Sequence, residues 1–411
     1  MERFDALVIG GGPAGATAAL LLARAGWSVV LVERKEFPRR KVCGEYLSAT
    51  NWPLLKTLGL AEAFADLAGP PVRQVAVFVG NKSVRADLPR PQNCDGLWGR
   101  ALSRERLDAL LVERAVQEGV TVRQPYRCVQ LAWDEEGHVC RIASQPAREA
   151  SELHARVVIA AHGSWELGTL STEREHAAQR PGDWMAFKAH FLDTRLSPGL
   201  MPLLSFPDGY GGMVHCDGGR ASLSCCIRRR RLDLLSRASG QTAGSAVLEH
   251  ILESCSVLRP VLEGAVLDRP WLAAGAVRPG IRRCYRDGVF VVGNAAGEAH
   301  SVVAEGISMA MQSAWLLAER LIPQRANLDC PGVRDAIARQ YSTAWRRSFV
   351  PRIHAASLIA QWATRPRLVA ATLPLLRRCP GLLTFGARLS GKARLVVPRD
   401  VSKLGKEIYE S

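Results

Sequence analysis

The chain has 411 residues, with 54 Lys and Arg against 39 Asp and Glu, for a formal net charge of +15. Apolar residues make up 47% and charged residues 23%, which excludes a disordered or collagen-like chain and gives length for two or three domains with buried cores. Eleven cysteines stand without a CxxC pair, so neither a disulfide framework nor a zinc site is expected, and no metal ligands are assigned.

The predicted elements begin with an apolar strand at Ala6–Ile9, a helix over about Ala14–Ala25 and a strand at Ser28–Glu33. The uncharged run Leu7–Ala23 carries Gly10, Gly11, Gly12, Pro13 and Gly15 near its start, so a strand, tight turn and helix fit it better than a membrane span. Alternating segments follow at Val75–Val79 and Val84–Leu88. An amphipathic helix over about Arg104–Glu118 is closed by Gly119 and followed by a strand at Val120–Gln124. Val129–Trp133 and Val139–Ile142 read as a hairpin around Asp134–Gly137, and Arg156–Ala160 as a short buried strand. Between 184 and 275, short alternating runs separated by turn residues predict a mostly antiparallel sheet, with Arg228–Arg231 as a solvated turn. Gly288–Val292 is a further buried strand and Ala304–Leu321 a helix. Beyond Asp335 the pattern is helical, with Pro351, Pro366, Pro374 and Pro380 dividing it into short helices.

The charge is concentrated at the end of the chain. Residues 345–411 hold thirteen Lys and Arg against three acids, which is +10 of the +15. The uncharged runs Leu368–Leu376 and Cys379–Ala387 are too short to span a bilayer. Segments such as Ser357–Trp362 and Leu368–Leu376, interleaved with arginine pairs, predict either helices that cap a substrate cavity or peripheral contact of 345–411 with an anionic membrane. With no signal segment at the N-terminus, a cytoplasmic and at most membrane-associated chain is expected. No aromatic-basic platform is present, so nucleic acid is not an expected partner.

Two glycine motifs carry the chemistry. In Gly10-Gly11-Gly12-Pro13-Ala14-Gly15, Gly10 permits the turn, Gly12 lets backbone approach a pyrophosphate and Gly15 allows helix to pack on strand. Free N–H groups at the helix N-terminus attract the phosphate charge. Glu33, eighteen residues after Gly15, ends the second strand where an acid accepts bonds from ribose hydroxyls; Arg34 follows it. The second motif, Gly293-Asn294-Ala295-Ala296-Gly297, comes late, before Glu305-Gly306-Ile307 opens a helix.

The segments DALVIGGGPAGATAALLLARAGWSVVLVER, FPRRKVCGEYLS, LSRERLDALLVERAVQEGV, VVIAAHGSWE and FVVGNAAGEAHSVVAEGISMAMQSA, in that order, cover about residues 4–325. They resemble the FAD-dependent oxidoreductases that group geranylgeranyl reductases, class A flavin monooxygenases and flavin halogenases. The likeness is greatest to the geranylgeranyl-reductase-like branch. The resemblance implies an α/β fold. A Rossmann-like FAD-binding domain (1–70, 100–165 and 280–340) would interleave with a mostly antiparallel β substrate domain (71–99 and 166–279), and 341–411 would form a basic helical C-terminal region. FAD would be held by Gly10, Gly12, Pro13, Ala14, Gly15, Glu33, Arg34, Arg40, Cys43, Arg104, Gly293, Asn294, Glu305, Gly306 and Ile307. Arg40 to Glu45 would form the loop over the isoalloxazine, with Cys43 either facing substrate or packed as a small thiol. Tyr210 is a cavity-wall or hydrogen-bonding candidate, alternatively a core residue. His300 is an acid/base candidate, alternatively a capping or surface residue.

The chain departs from the family pattern at Asn294, where Asp is usual, and at Ser301 and Ala304, where Pro and Gly are usual. His162-Gly163 replaces an Asp-Gly associated with nicotinamide use. The halogenase WxWxIP and archaeal PxxYxWxFP segments are missing. The expected activity is oxygenation of a hydrophobic aromatic, polyketide or isoprenoid small molecule in specialised metabolism, with electrons from NADPH or NADH. A reductase of C=C bonds and an electron-transfer flavoprotein are the alternatives, and His162 makes an electron-donor protein a candidate partner.

Overall fold

The computed structural model describes residues 2–90, 96–134, 137–144, 149–164, 170, 172, 180–392 and 395–397. Residues 135–136 of the anticipated hairpin turn, 165–166 of the middle motif, and the tail charges Arg394, Arg399, Lys403 and Lys406 lie outside the described residues.

In chain order the main elements are β1 (Glu2–Ile9), α1 (Pro13–Arg24), β2 (Val29–Val32), β3 (Gln74–Val79), β4 (Lys82–Asp87), α2 (Arg104–Gln117), β5 (Thr121–Arg123), β6 (Tyr126–Trp133), β7 (His138–Ser144) and β8 (Ala150–Ala160). The second half contains β9 (Trp184–Leu192), β10 (Leu200–Phe206), β11 (Gly209–His215), β12 (Ala221–Arg228), α3 (Arg229–Ser239), α4 (Ala243–Ser254), β13 (Leu272–Val277), β14 (Val289–Val291), α5 (Gly306–Leu321), α6 (Val333–Ala363), α7 (Pro366–Arg378) and α8 (Gly381–Ala387).

The first sheet runs β14-β8-β1-β2-β5 with all neighbours parallel, and β7 and β6 join antiparallel beside β8. Its strands are near-continuous Val, Ile, Leu and Ala where they are buried, as strands covered on both faces must be. The register aligns Ile9 with Val32 and with Ala160, and Ala160 with Val291. Four strands therefore end on one line, and ligands bind beyond such an edge in open α/β sheets. Pro13 at N1 of α1 fixes a helical φ without losing a needed donor. The central α5 is buried along almost its whole length.

The second sheet runs β9-β12-β11-β10-β3-β4, with β13 on the outer side of β9. It is antiparallel except where β10 pairs parallel with β3. Segments far apart in the chain are thus joined in one sheet. Arg228–Arg231 is not the solvated turn the sequence predicts. Arg228 ends β12 with its guanidinium 3.8 Å above the Trp184 ring, and Arg230 and Arg231 pair with Asp208 at 2.5 and 3.2 Å while α3 begins. Cation–π stacking and two ion pairs hold the run to the sheet end.

Helix breaking by proline is also corrected. Pro366 and Pro380 stand at helix starts, but Pro351 lies inside the 31-residue α6 and Pro374 inside α7. A proline removes one backbone bond, yet the buried face of Trp345, Phe349, Ile353 and Ala356 keeps α6 continuous around it. The helix anticipated from Ala304 begins at Gly306, because Ala304 is left-handed, with φ +52°. Val369, Leu373 and Leu376 of α7 pack on Val77, Val79 and Val84 of the second sheet.

Candidate functional site: a dinucleotide groove beside an apolar cavity

The groove begins at the β1–α1 turn. Gly10 has φ +105°, and a Cβ there would lie 2.8 Å from the Ala161 carbonyl oxygen; a Cβ on Gly15 would run into the Gly10 carbonyl oxygen. Gly12 caps α1 without a side-chain cap, leaving first-turn N–H groups for a ligand. At the end of β2 the buried Glu33 carboxylate accepts the Gly11 N–H at 2.8 Å and the Lys35 N–H at 3.1 Å.

Two hollows share Gly12, Lys41, Val42 and Ala161 and so form one groove. The first, about 290 Å³, is lined by Gly10, Glu33, the exposed Arg34, Arg40 and His162. The second, about 150 Å³, is lined by Pro13, Ala14, Cys43, Arg104, Asn294, Gly306 and Ile307. Where they join, a Cβ on Gly12 would meet only the Arg104 Nη2 at 3.5 Å and the Arg39 Nη2 at 3.9 Å, and in the second hollow a Cβ on Gly306 would meet nothing. A backbone floor, two guanidinium groups at the middle and an acid at one end fit an elongated dinucleotide such as FAD, with its diphosphate at the centre.

Arg104 is buried and forks onto Asp108 with two bonds of 2.7 Å. Burial would lower its pKa, but the Asp108 carboxylate reverses this and holds the cation. Arg39, which sequence reasoning missed although it stands in FPRRKVCGEYLS, lies 3.4 Å from both Glu33 and Asp108. Arg40 is half-buried and donates to the Pro270 carbonyl at 3.1 Å. The Gly293 N–H donates to Ser313 Oγ at 2.7 Å, and Asn294 Nδ2 donates to Glu298 Oε1 at 3.2 Å. Glu305 needs correction: its carboxylate turns from the groove to Lys392, whose Nζ donates to Oε1 at 3.0 Å. Its neighbours Ala304, Gly306 and Ile307 line the groove, and the left-handed Ala304 redirects the chain just before α5.

Glu45 has φ +63° and is fully buried. Its carboxylate touches the Lys188 ammonium, lies 2.7 Å from His190 Nε2 and accepts the Arg104 N–H at 2.9 Å. Burial alone would raise its pKa, but Lys188 first and then His190 bring it down to about 2. Glu45, His190 and Cys216 also have ligand atoms within 4.8 Å of one another, but Lys188 already balances this carboxylate. Nothing local marks Glu45; the available signal is two cationic residue types, Lys188 and His190, two apart in an otherwise apolar strand, where alternation turns both to one face. Cys43, one residue before Gly44, is half-buried, and its Sγ accepts the Glu45 N–H at 3.4 Å.

A second cavity, about 370 Å³, is walled by the second sheet and by α6 to α8. Val75, Val77, Leu203, Trp362, Leu376 and Leu383 make it apolar, and Gly44, Ser301 and Ala304 wall both it and the groove. Tyr210 lines this cavity, packs against Trp184 and has its hydroxyl 3.1 Å from His300 Nδ1. Burial drives the Tyr210 pKa well up. Burial, then Arg228, lowers His300 to about 4, so it is neutral near pH 7. His162 is hydrogen-bonded at 2.9 Å to the Gly163 carbonyl and at 3.1 Å to Thr172 Oγ1.

Comparison with known proteins agrees with this geometry. The chain is 24% identical to the menaquinone reductase of Mycolicibacterium smegmatis over 98% of its own length and 95% of the relative's. It is likewise 24% identical to digeranylgeranylglycerophospholipid reductase 1 of Methanopyrus kandleri, over 87% and 90%. In fold it matches a myxobacterial chondrochloren halogenase with a TM-score of 0.75 at 19% identity, covering 99% of this chain and 97% of that one. The profile of the FAD binding domain family matches residues 3–324. The chain belongs to that family, an FAD-binding oxidoreductase family whose homologues include geranylgeranyl reductases, halogenases and monooxygenases.

Proposed function

We propose that this oxidoreductase is a monooxygenase acting on an uncharged, hydrophobic aromatic, polyketide or isoprenoid molecule, with electrons from NADPH or NADH. The observation that carries the reading is the apolar cavity walled in common with the flavin groove at Gly44, Ser301 and Ala304. FAD, when bound, supplies the redox chemistry and oxygen activation. The chain's residues hold and seal. Arg39, Arg104 and the α1 N-terminus bind the diphosphate, the Glu45 cluster fixes the Cys43–Glu45 loop, and α6 to α8 supply apolar walls around the substrate.

Oxygenation is preferred because it asks least of the side chains that wall the cavity. Hydride addition to a double bond needs an acid to complete it. Tyr210, which lines the cavity, is pushed well above its ordinary pKa and so is weakened as that acid, and Cys43 in the groove wall is the other donor such a reaction would use. Oxygen insertion asks chiefly for a dry cavity. Turnover under ¹⁸O₂ tests this: the product should carry one labelled oxygen, and unlabelled product would overturn the reading.

A second reading, a flavin reductase saturating C=C bonds, is favoured by the two reductase relatives that match across nearly their whole lengths. Turnover by dithionite-reduced protein without oxygen supports it alone. Stopped-flow reduction with NADH and NADPH tests the electron source. Slow reduction by both would favour a donor protein, in keeping with His162 in place of the usual Asp.

A further inference from the structure

We propose that α7, α8 and the turn after them form a docking face for an anionic lipid surface, with the apolar cavity opening onto it. The face begins at the cavity mouth. Leu375 and Leu382 both line the cavity and stand 56% and 44% exposed, one on each of the two helices. By helical spacing, Leu368 shares the Leu375 side of α7, and Phe385 and Leu389 share the Leu382 side. These three are 44%, 57% and 52% exposed, and none lines the cavity. A short amphipathic segment that turns its apolar stripe outward has no reason to do so against water.

The charge identifies the occupant. No Asp or Glu stands between Asp335 and Asp400, while Arg365, Arg367, Arg378 and Arg388 are exposed beside the leucines and Arg377 reaches back to the Ser83 carbonyl at 3.5 Å. Apolar side chains ringed by arginines without a carboxylate match an interface of acyl chains under anionic headgroups, with the arginines at headgroup level. An acidic protein would satisfy the arginines but not the protruding Phe385 and Leu389. The two helices meet at a bend of 111°, and no single helix among the described residues is long and apolar enough to cross a membrane. The lipid face and the cavity mouth coincide, so a hydrophobic substrate can pass between them without crossing water.

The test uses the full chain and vesicles of phosphatidylcholine with or without about 30% phosphatidylglycerol, read by sedimentation. Partitioning should rise at least tenfold with the anionic lipid and fall in about 0.5 M NaCl. The triple change Arg367→Glu, Arg378→Glu and Arg388→Glu should lower it at least tenfold, since each basic residue near such a surface is worth about fivefold. Phe385→Ser with Leu389→Ser should lower it about tenfold, with circular dichroism and thermal midpoint unchanged. Absence of vesicle binding by the parent chain, or equal binding by the triple variant, would overturn the proposal. So would undiminished binding of the Phe385/Leu389 variant, which makes the contact purely electrostatic. Retention on polyglutamate without vesicle binding would assign the face to an acidic protein instead.

Discussion

The groove and the cavity that meet at Gly44, Ser301 and Ala304 are built on opposite principles. The groove is backbone and fixed charge: glycines where a Cβ has no room, and buried ions each neutralised by a partner, Arg104 with Asp108 and Glu45 with Lys188. The cavity is apolar side chains on a sheet, covered by helices that rest on three buried residues of α7, with leucines left in solvent. The first arrangement fixes one ligand and tolerates no change; the second admits many shapes by exchanging side chains. A family with one cofactor and many substrates divides its structure in this way.

Gly15→Ala attacks the groove where it is tightest. The added Cβ meets the Gly10 carbonyl, neither backbone segment can retreat, and a cost of about 3 kcal/mol or more is expected, with FAD lost on gel filtration. Retention of FAD with an unchanged thermal midpoint would break the contrast between a rigid groove and an adaptable cavity.

Glu45→Gln strips the charge that balances Lys188, and should cost about 3 kcal/mol in urea unfolding at pH 7. The parent's Glu45 sits at about 2 when folded, against an ordinary 4.5. The stabilisation it contributes is therefore complete above about pH 5 and is lost as the pH falls toward about 2. The variant should show a flatter acid limb, and an unchanged one would remove the cluster from the account of the loop.

On the cavity side, Leu383→Trp should lower kcat/KM about tenfold for a bulky substrate while FAD content stays at the parent level, because Leu383 lines only the cavity. Co-loss of FAD would show that the two compartments are not independent. Tyr210→Phe is the mildest change, expected to cost about 1 kcal/mol of stability for the hydroxyl's lost hydrogen bond to His300. Under oxygenation its product yield per reducing equivalent should change less than twofold, whereas a loss of tenfold or more would favour the reductase reading.

The legible part of the molecule was the part that chemistry writes locally. A turn with no room for a Cβ needs glycine at fixed spacing, a helix N-terminus must follow at once, and a buried strand must be apolar throughout. The motif from Gly10 to Gly15, Glu33 and the late Gly293-Asn294 segment thus declared the parallel sheet and an FAD-binding family directly in the sequence, and the structure brings them along one groove. Tertiary structure alone decided which charges meet. Glu45 finds Lys188 and His190 across 143 and 145 residues, and Glu305 turns to Lys392 rather than the groove. It also carried α6 through Pro351.

The opening excess of charge had the same fate. Sequence established that it lies in the tail; which side chains of these helices wall the cavity and which face outward depends on which side of each helix the sheet buries. Packing against Val77, Val79 and Val84 settled that for α7, burying Val369, Leu373 and Leu376 and leaving Leu368, Leu375 and the arginines outside. A helical repeat specifies a face, but only the partner surface selects which face it covers.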